Sequence, residues 1–294
     1  MAKGPFMSVP LLDGLGAIAG DYDGFILDLW GVLHDGVRAY PGAVDCLERL
    51  AAAGKPVVIL SNAPRRAALA ARRLTELGVG DGLYRSLLTS GEAAWQVLRA
   101  RSDPFHAGLG RNCLEIAGDE TLLDGLDFDK VATIDAADFL LVIGVRGFDE
   151  TVETYADLLA DAAARRLPFV CVNPDRTVIY GGRPFVCAGA LAARYEELGG
   201  KVRYHGKPHP QVYGMALERL GLGAGARVLA VGDSLHTDIA GARGAGLASV
   251  LVTGGIHHDA LGIAPGDSPA PDRLEALYTA EGMRPDIAIP AFVW

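Results

Sequence analysis

The sequence has no run of apolar residues long enough to cross a bilayer: its longest strongly apolar stretch, residues 139–145, falls far short of the roughly 20 residues that a spanning helix needs. The N-terminal stretch MAKGPFMSVPLL carries one lysine and no apolar core, so it does not read as a secretory signal. The expectation is a cytoplasmic protein with no membrane partner. Cysteine is scarce as well. Cys46, Cys113, Cys171 and Cys187 are far apart, form no CxxC pair and sit among apolar neighbours, which predicts buried free thiols rather than disulfides or a zinc site. The seven histidines form no metal-ligand spacing. Positive charge is in deficit, with a formal net charge of −9, so the surface as a whole repels a phosphate backbone and a nucleic-acid partner is not expected. Low-complexity segments and fixed-period repeats are absent too.

What remains is a globular chain of 294 residues, half of them hydrophobic, enough for one large domain or two ordinary ones. Its organising stretch is residues 25–36, FILDLWGVLHDG. The apolar run Phe25, Ile26, Leu27 stops at Asp28 and is followed almost at once by Gly31, the pattern of a buried strand that delivers a carboxylate into a loop. Alone, Asp28 reads equally well as a turn cap.

The order of elements supplies a context. A helix over 41–54, a strand over 56–60 ending on Ser61 and Asn62, and a helix over 65–77 predict a parallel α/β sheet with right-handed crossovers. Residues 88–204 repeat the pattern, with helices at 91–101, 150–166 and 187–198 and strands at 113–117, 139–143 and 168–172. They read as an inserted α/β domain, dividing the chain into a Rossmann-like core of 1–87 and 205–294 and an insert of 88–204. After HGKPHP come a helix over 211–220, a strand over 227–231 ending in GDSLHTD, a helix over 239–246, a strand over 249–252, a helix over 272–281 and a short strand near Ile287.

Polar residues at the ends of these strands form a chemical set. Asp28 and Asp233 can hold a hard divalent cation such as Mg2+ through oxygen, while Ser61 and Lys207 can offset the charge of a phosphate. With that charge offset, Asp28 can attack phosphorus as a carboxylate nucleophile. Asp238 then stands behind Asp233 as an orienting partner. Each residue also has a plain reading, Ser61 and Asp238 as helix caps and Lys207 as a surface charge.

ILDLWGVLHDG, ILSNAPR, GKPHP and VGDSLHTDIAGA, in this order and spacing, resemble the four motifs of the haloacid dehalogenase superfamily. The insert, with TSGEAA near its start and VNPD inside it, is similar to the α/β cap of the class IIA, NagD-like phosphatases. The resemblance implies a Rossmann-like core with a mobile cap, Mg2+, and hydrolysis of a small phosphorylated metabolite, a sugar phosphate among them, through an aspartyl-phosphate. It makes Asp28 the nucleophile, gives phosphate binding to Ser61, Asn62, Lys207 and Gly31, and gives the metal to Asp28, Asp233 and the backbone carbonyl of Trp30. By analogy it also implies a homodimer through the cap.

The sequence departs from that pattern at Trp30, where the resembling phosphatases carry a second Asp that protonates the leaving group. An indole cannot do so. Three accounts stand open: another acid, with His34, Asp35 and His236 nearest in sequence; a substrate whose leaving group needs no acid; or a different activity, either a non-catalytic binder of a phosphorylated metabolite or a metal-free dehalogenase. The dehalogenase reading leaves Asp233 and Asp238 without a purpose. Asn173, Asp175 and the pair Gly181 and Gly182 can line the substrate side of the insert or simply form turns. His257 and His258 lie near the pocket mouth or in a surface loop, and Arg38, Arg65 and Arg183 are candidates for a second anionic group.

Overall fold

The computed structural model describes residues 8–117, 121–180 and 183–294. In chain order the strands are β1 Gly24–Leu27, β2 Val57–Ser61, β3 Ser86–Thr89, β4 Asn112–Ile116, β5 Asp129–Lys130, β6 Phe139–Val142, β7 Phe169–Cys171, β8 Thr177–Tyr180, β9 Arg183–Val186, β10 Val202–Tyr204, β11 Val228–Gly232, β12 Ala248–Val252 and β13 Ile287–Ile289. The helices are α1 Ala43–Ala52, α2 Ala67–Glu76, α3 Ser90–Ala100, α4 Pro104–Ala107, α5 Ala156–Ala164, α6 Ala188–Glu197, α7 Pro210–Leu220, α8 Ala240–Gly244, α9 His258–Leu261 and α10 Pro271–Glu281. The chain separates into two compact units, one of the described residues up to Leu60 with Arg72–Leu87 and Tyr213–Trp294, the other of Ser61–Ala71 and Leu88–Val212.

The larger sheet runs β13-β12-β11-β1-β2-β3. β1 pairs in parallel with β11, Leu27 opposite Val231, and with β2, Leu27 opposite Ile59. Every residue of β1, β2 and β11 is buried, as expected for parallel strands covered on both faces, and this is why they read as unbroken apolar runs. Because β1 and β11 are parallel neighbours, the residues that follow them leave the sheet at the same edge, where open α/β sheets hold their ligands. On one side, Leu235, Ile239, Leu251, Leu274, Leu277 and Tyr278 form an apolar cluster that seats α10.

The second unit has its own parallel sheet, β10-β7-β6-β4-β5, and the antiparallel hairpin β8–β9. Alternation along β6 divides its core. Leu140 and Val142 join Leu159, Leu191 and Tyr195 under α5 and α6, while Phe139, Leu141 and Ile143 join Ala94 and Leu98 of α3 on the other face. The four cysteines are free and buried. No helix among the described residues is long and apolar enough to cross a membrane.

The expected α/β architecture holds, with differences at the ends of elements. The helix expected over 150–166 begins only at Ala156, after a 3-10 turn. Local side-chain bonds compete with the helix there: Glu150 Oε2 accepts from the Arg146 amide at 2.7 Å and from the Tyr155 hydroxyl at 2.5 Å, and Thr151 Oγ1 donates to Glu153 Oε2 at 2.6 Å. The helix expected over 239–246 is preceded by a π-helical turn, Leu235–Ile239. β3, β5, β10 and the β8–β9 hairpin were not anticipated. β5 and β10 are too short to carry a period-2 pattern, and Gly181 and Gly182, expected to form a turn, lie outside the described residues.

Candidate active site

Asp28 follows β1 directly. Its amide donates to Val231 O at 2.8 Å, extending the ladder by one residue, and its Oδ1 accepts from the Leu29 amide at 2.6 Å. Asp233 follows β11, and Asp238 lies in the π-helical turn, where its Oδ2 accepts from the Ser234 amide at 3.2 Å. All three are buried, and one oxygen of each lies within 4.8 Å of the others. Sequence reasoning set Asp238 behind Asp233 as an orienting partner; in the structure its carboxylate stands in the same cluster, within 4.8 Å of the other two. Buried like charges at this separation oppose one another, and an oxygen-coordinated hard cation is the partner that suits such a donor set.

The main chain presses on this cluster. Gly31, expected to face an anion, has φ +73°, and a Cβ there would stand 1.8 Å from Asp233 Oδ2. A Cβ on Gly255 would stand 2.3 Å from the same oxygen, and the Ile256 amide donates to it at 2.7 Å. Sequence reasoning missed Gly255 and Ile256 as supports of Asp233. The available signal was the Thr253-Gly254-Gly255 run after β12, a place where only small residues let backbone approach a side chain.

The loop after Asp28 is tightly wound. Leu33 and His34 donate to Leu29 O, and Gly31 donates to His34 O. The Trp30 indole lies edge-on to His34, centroids 5.1 Å apart, and a Cβ on Gly36 would stand 2.4 Å from it. The substitute acids proposed from sequence are committed elsewhere. His34 is buried, its Nδ1 accepts from the Gly36 amide at 2.9 Å, and burial pushes its pKa down to about 4. Asp35 Oδ1 accepts from the Val37 and Arg38 amides at 2.8 Å; burial raises its pKa, but these bonds and the Arg38 charge outweigh it and leave a net lowering. His236 is exposed, with Nε2 at 2.5 Å from Glu281 Oε2.

The remaining candidates have local roles. His257 Nε2 accepts from the Leu235 amide at 3.3 Å, and His258 Nδ1 lies 2.9 Å from Gly255 O. Arg38 faces Asp35, the Arg65 carbonyl accepts from the Thr89 hydroxyl, and the Arg183 guanidinium lies 4.5 Å from the Phe148 ring centroid.

Ser61 ends β2 and is buried, its Oγ accepting from the Ala63 amide at 3.2 Å. Asn62 and Lys207 are buried and joined: Asn62 Oδ1 accepts from the Lys207 amide at 2.7 Å, and Asn62 Nδ2 donates to Lys207 O at 3.1 Å. The same Nδ2 donates to Asp175 Oδ1 at 2.8 Å. Asn173 behaves as the turn former expected, its Oδ1 accepting from the Asp175 amide at 3.0 Å.

Two residues before Lys207, His205 is buried with its Nε2 at 3.2 Å from His106 Nε2, and His106 Nδ1 is bonded to Asp103. Burial, reinforced by His106 and Arg203 and by His209, and opposed by Asp103, pushes His205 from 6.5 down to about 3. The unfolded chain therefore binds a proton that the folded chain excludes. The resulting stabilisation is whole above pH 6.5 and is lost as pH falls toward about 3, at about 1.4 kcal/mol per pH unit. Melting curves between those limits should show a shallower slope for His205→Gln than for the wild type, by about one proton; equal slopes would contradict this assignment.

The chain matches the haloacid dehalogenase-like hydrolase family over residues 25–128 and the HAD-hydrolase-like family over residues 204–277. It is 32% identical to human chronophin over 260 residues, 81% of this chain and 83% of that protein. It is 31% identical to the ribonucleotide monophosphatase NagD of Escherichia coli K12 over 237 residues, 79% of this chain and 87% of that protein. The crystal structure of a haloacid dehalogenase-like hydrolase from Brucella suis superposes with a TM-score of 0.80 at 30% identity, covering 96% of this chain and all of that one. The buried carboxylates thus sit in a fold shared almost end to end with the Brucella suis hydrolase, and the chain belongs to the haloacid dehalogenase-like hydrolases, in their NagD-like branch.

Proposed function

We propose that this chain is a Mg2+-dependent phosphatase of a small phosphorylated metabolite, sugar phosphates included, that works through an aspartyl-phosphate on Asp28. The observation that carries this reading is the buried carboxylate cluster of Asp28, Asp233 and Asp238. The name of its relative NagD, a ribonucleotide monophosphatase, supports phosphate monoesters as the substrate class. Asp28, Asp233 and Asp238, with the Trp30 carbonyl, are the groups that would hold Mg2+, which when bound supplies the positive charge that lets a carboxylate and a phosphate approach.

In this reading an Asp28 oxygen attacks phosphorus, the bond to the leaving oxygen breaks, and water then cleaves the acyl phosphate to regenerate Asp28. Ser61 and Lys207 bind the phosphate, the lysine offsetting its charge, and Asn62 contributes through its main chain, because both hydrogens of its side-chain amide are spent on Lys207 O and Asp175. Residues 88–204 form the cap that selects the leaving group and join two copies in a dimer, and the protein acts in the cytoplasm.

Trp30 sets a limit on that chemistry. A positioned acid is worth about 10²- to 10⁴-fold in rate, and the indole offers none. Substrates with stable leaving groups should therefore turn over, and those with basic alkoxide leaving groups should lag. Phosphate release from p-nitrophenyl phosphate and acetyl phosphate should be Mg2+-dependent and exceed release from a sugar phosphate. In Trp30→Asp the sugar phosphate should gain about 10²-fold. Release that is undiminished in excess EDTA would remove the metal from the account, and absence of release from all three substrates would remove the phosphatase reading.

A further inference from the structure

We propose that Asp175 is a positioning residue for Lys207, acting through the side-chain amide of Asn62. The proposal rests on the reading of Lys207 as a phosphate-binding lysine. Asn62 grips both main-chain polar groups of Lys207, accepting from its amide at 2.7 Å and donating to its carbonyl at 3.1 Å, as a partner strand would. That double contact exists in only one of the two orientations of the Asn62 amide, because a flip would set oxygen against carbonyl and NH2 against amide.

Asp175 decides between the two orientations. A carboxylate only accepts hydrogen bonds, so Asp175 Oδ1 at 2.8 Å requires Nδ2 on its side, and the charge strengthens that bond. Asp175 is itself fixed at both ends of its main chain, its amide donating to Asn173 Oδ1 at 3.0 Å and its carbonyl accepting from the Gly189 amide at 3.1 Å. A Cβ on Gly189 would stand 2.1 Å from Pro174 O, so the start of α6 lies directly on this turn.

The lysine side of the contact is equally close. Gly206 has φ +122°, and a Cβ there would stand 2.5 Å from Asn62 Oδ1 and 2.9 Å from Pro174 Cδ. Only glycine lets the chain lie against Asn62 at that point. With Lys207 held at both main-chain groups and the residue only 2% exposed, few positions remain to its ammonium. The turn-forming sequence N-P-D therefore has a second use: its last residue aims a charge.

The test is calorimetric binding of inorganic phosphate with Mg2+ present, accompanied by the Mg2+ activation constant and the melting temperature. Lys207→Met should weaken phosphate binding at least tenfold. Asp175→Ala, which removes the orienting acceptor, and Asn62→Asp, which sets a carboxylate against Asp175 and against Lys207 O, should each weaken it about tenfold or more, the effect of losing one charged hydrogen bond. Asp175→Asn retains an acceptor and should restore binding to within about threefold of wild type. The Mg2+ activation constant should be unchanged in both Asp175 variants. Should Asp175→Ala fail to fold, Asn62→Asp, which conserves size, carries the same test. Wild-type phosphate affinity in Lys207→Met would overturn the reading of that lysine and the proposal with it. Weak binding in Lys207→Met beside wild-type affinity in Asp175→Ala and Asn62→Asp would overturn the positioning role alone, as would equal losses in Asp175→Ala and Asp175→Asn.

Discussion

Asp28→Asn should lower kcat on the order of 10⁴-fold or more, the scale seen when a covalent nucleophile is removed, while the folded state survives. The first half follows from the proposed covalent role of Asp28, the second from the bonds around it. Asparagine keeps an oxygen to accept the Leu29 amide, and the backbone bond from residue 28 to Val231 O does not involve the side chain. It also removes one negative charge from a cluster whose oxygens lie within 4.8 Å of one another, so the variant without metal should melt no lower than wild type. An amide oxygen cannot take over as nucleophile and be regenerated by water as a carboxylate is. A drop of less than about tenfold would mean that Asp28 only orients its neighbours.

Chelation should have the second large effect. Excess EDTA should cut turnover on the order of 10³-fold, because charge stabilisation by a metal at a phosphoryl centre is worth several kcal/mol. A readout independent of turnover accompanies it. Saturating Mg2+, at a hundred times its dissociation constant, stabilises the folded chain by about 2.7 kcal/mol, which scanning calorimetry would read as a rise in Tm. Asp233→Asn should behave in the opposite sense: its metal-free form should be more stable than wild type, since a buried like charge has been removed, and Mg2+ should no longer shift its Tm. A wild-type Tm indifferent to Mg2+ would contradict the assignment of the cluster as a metal site.

How much of this was legible in the sequence depended on burial. β1, β2 and β11 are buried throughout and read as apolar runs, so the carboxylates that terminate β1 and β11 could be located by counting. β5 and β10, two and three residues long, offer no pattern to count. The start of α5 was misplaced because the side chains of Glu150 and Thr151 bond locally, an outcome that hydrophobic periodicity does not register. Within the site, Asp28 and Asp233 were visible as residue types at strand ends, and Asp238 as a carboxylate in the GDSLHTD stretch that follows β11. The supports of Asp233 at Gly255 and Ile256 were not, because they depend on the close approach of a loop more than 20 residues away in sequence. From the sequence Asp175 reads only as a turn or substrate-facing residue, since its bond to Asn62 spans 113 positions and leaves no local signature.

A covalent phosphoryl group on Asp28 would be caught by a rapid-quench reaction with acetyl phosphate and Mg2+, stopped in acid and read by intact-protein and peptide mass. The wild-type protein should carry one phosphoryl group, localised to the peptide that contains Asp28, and Asp28→Asn should carry none. Phosphate released at the same rate by both proteins would contradict the covalent role of Asp28.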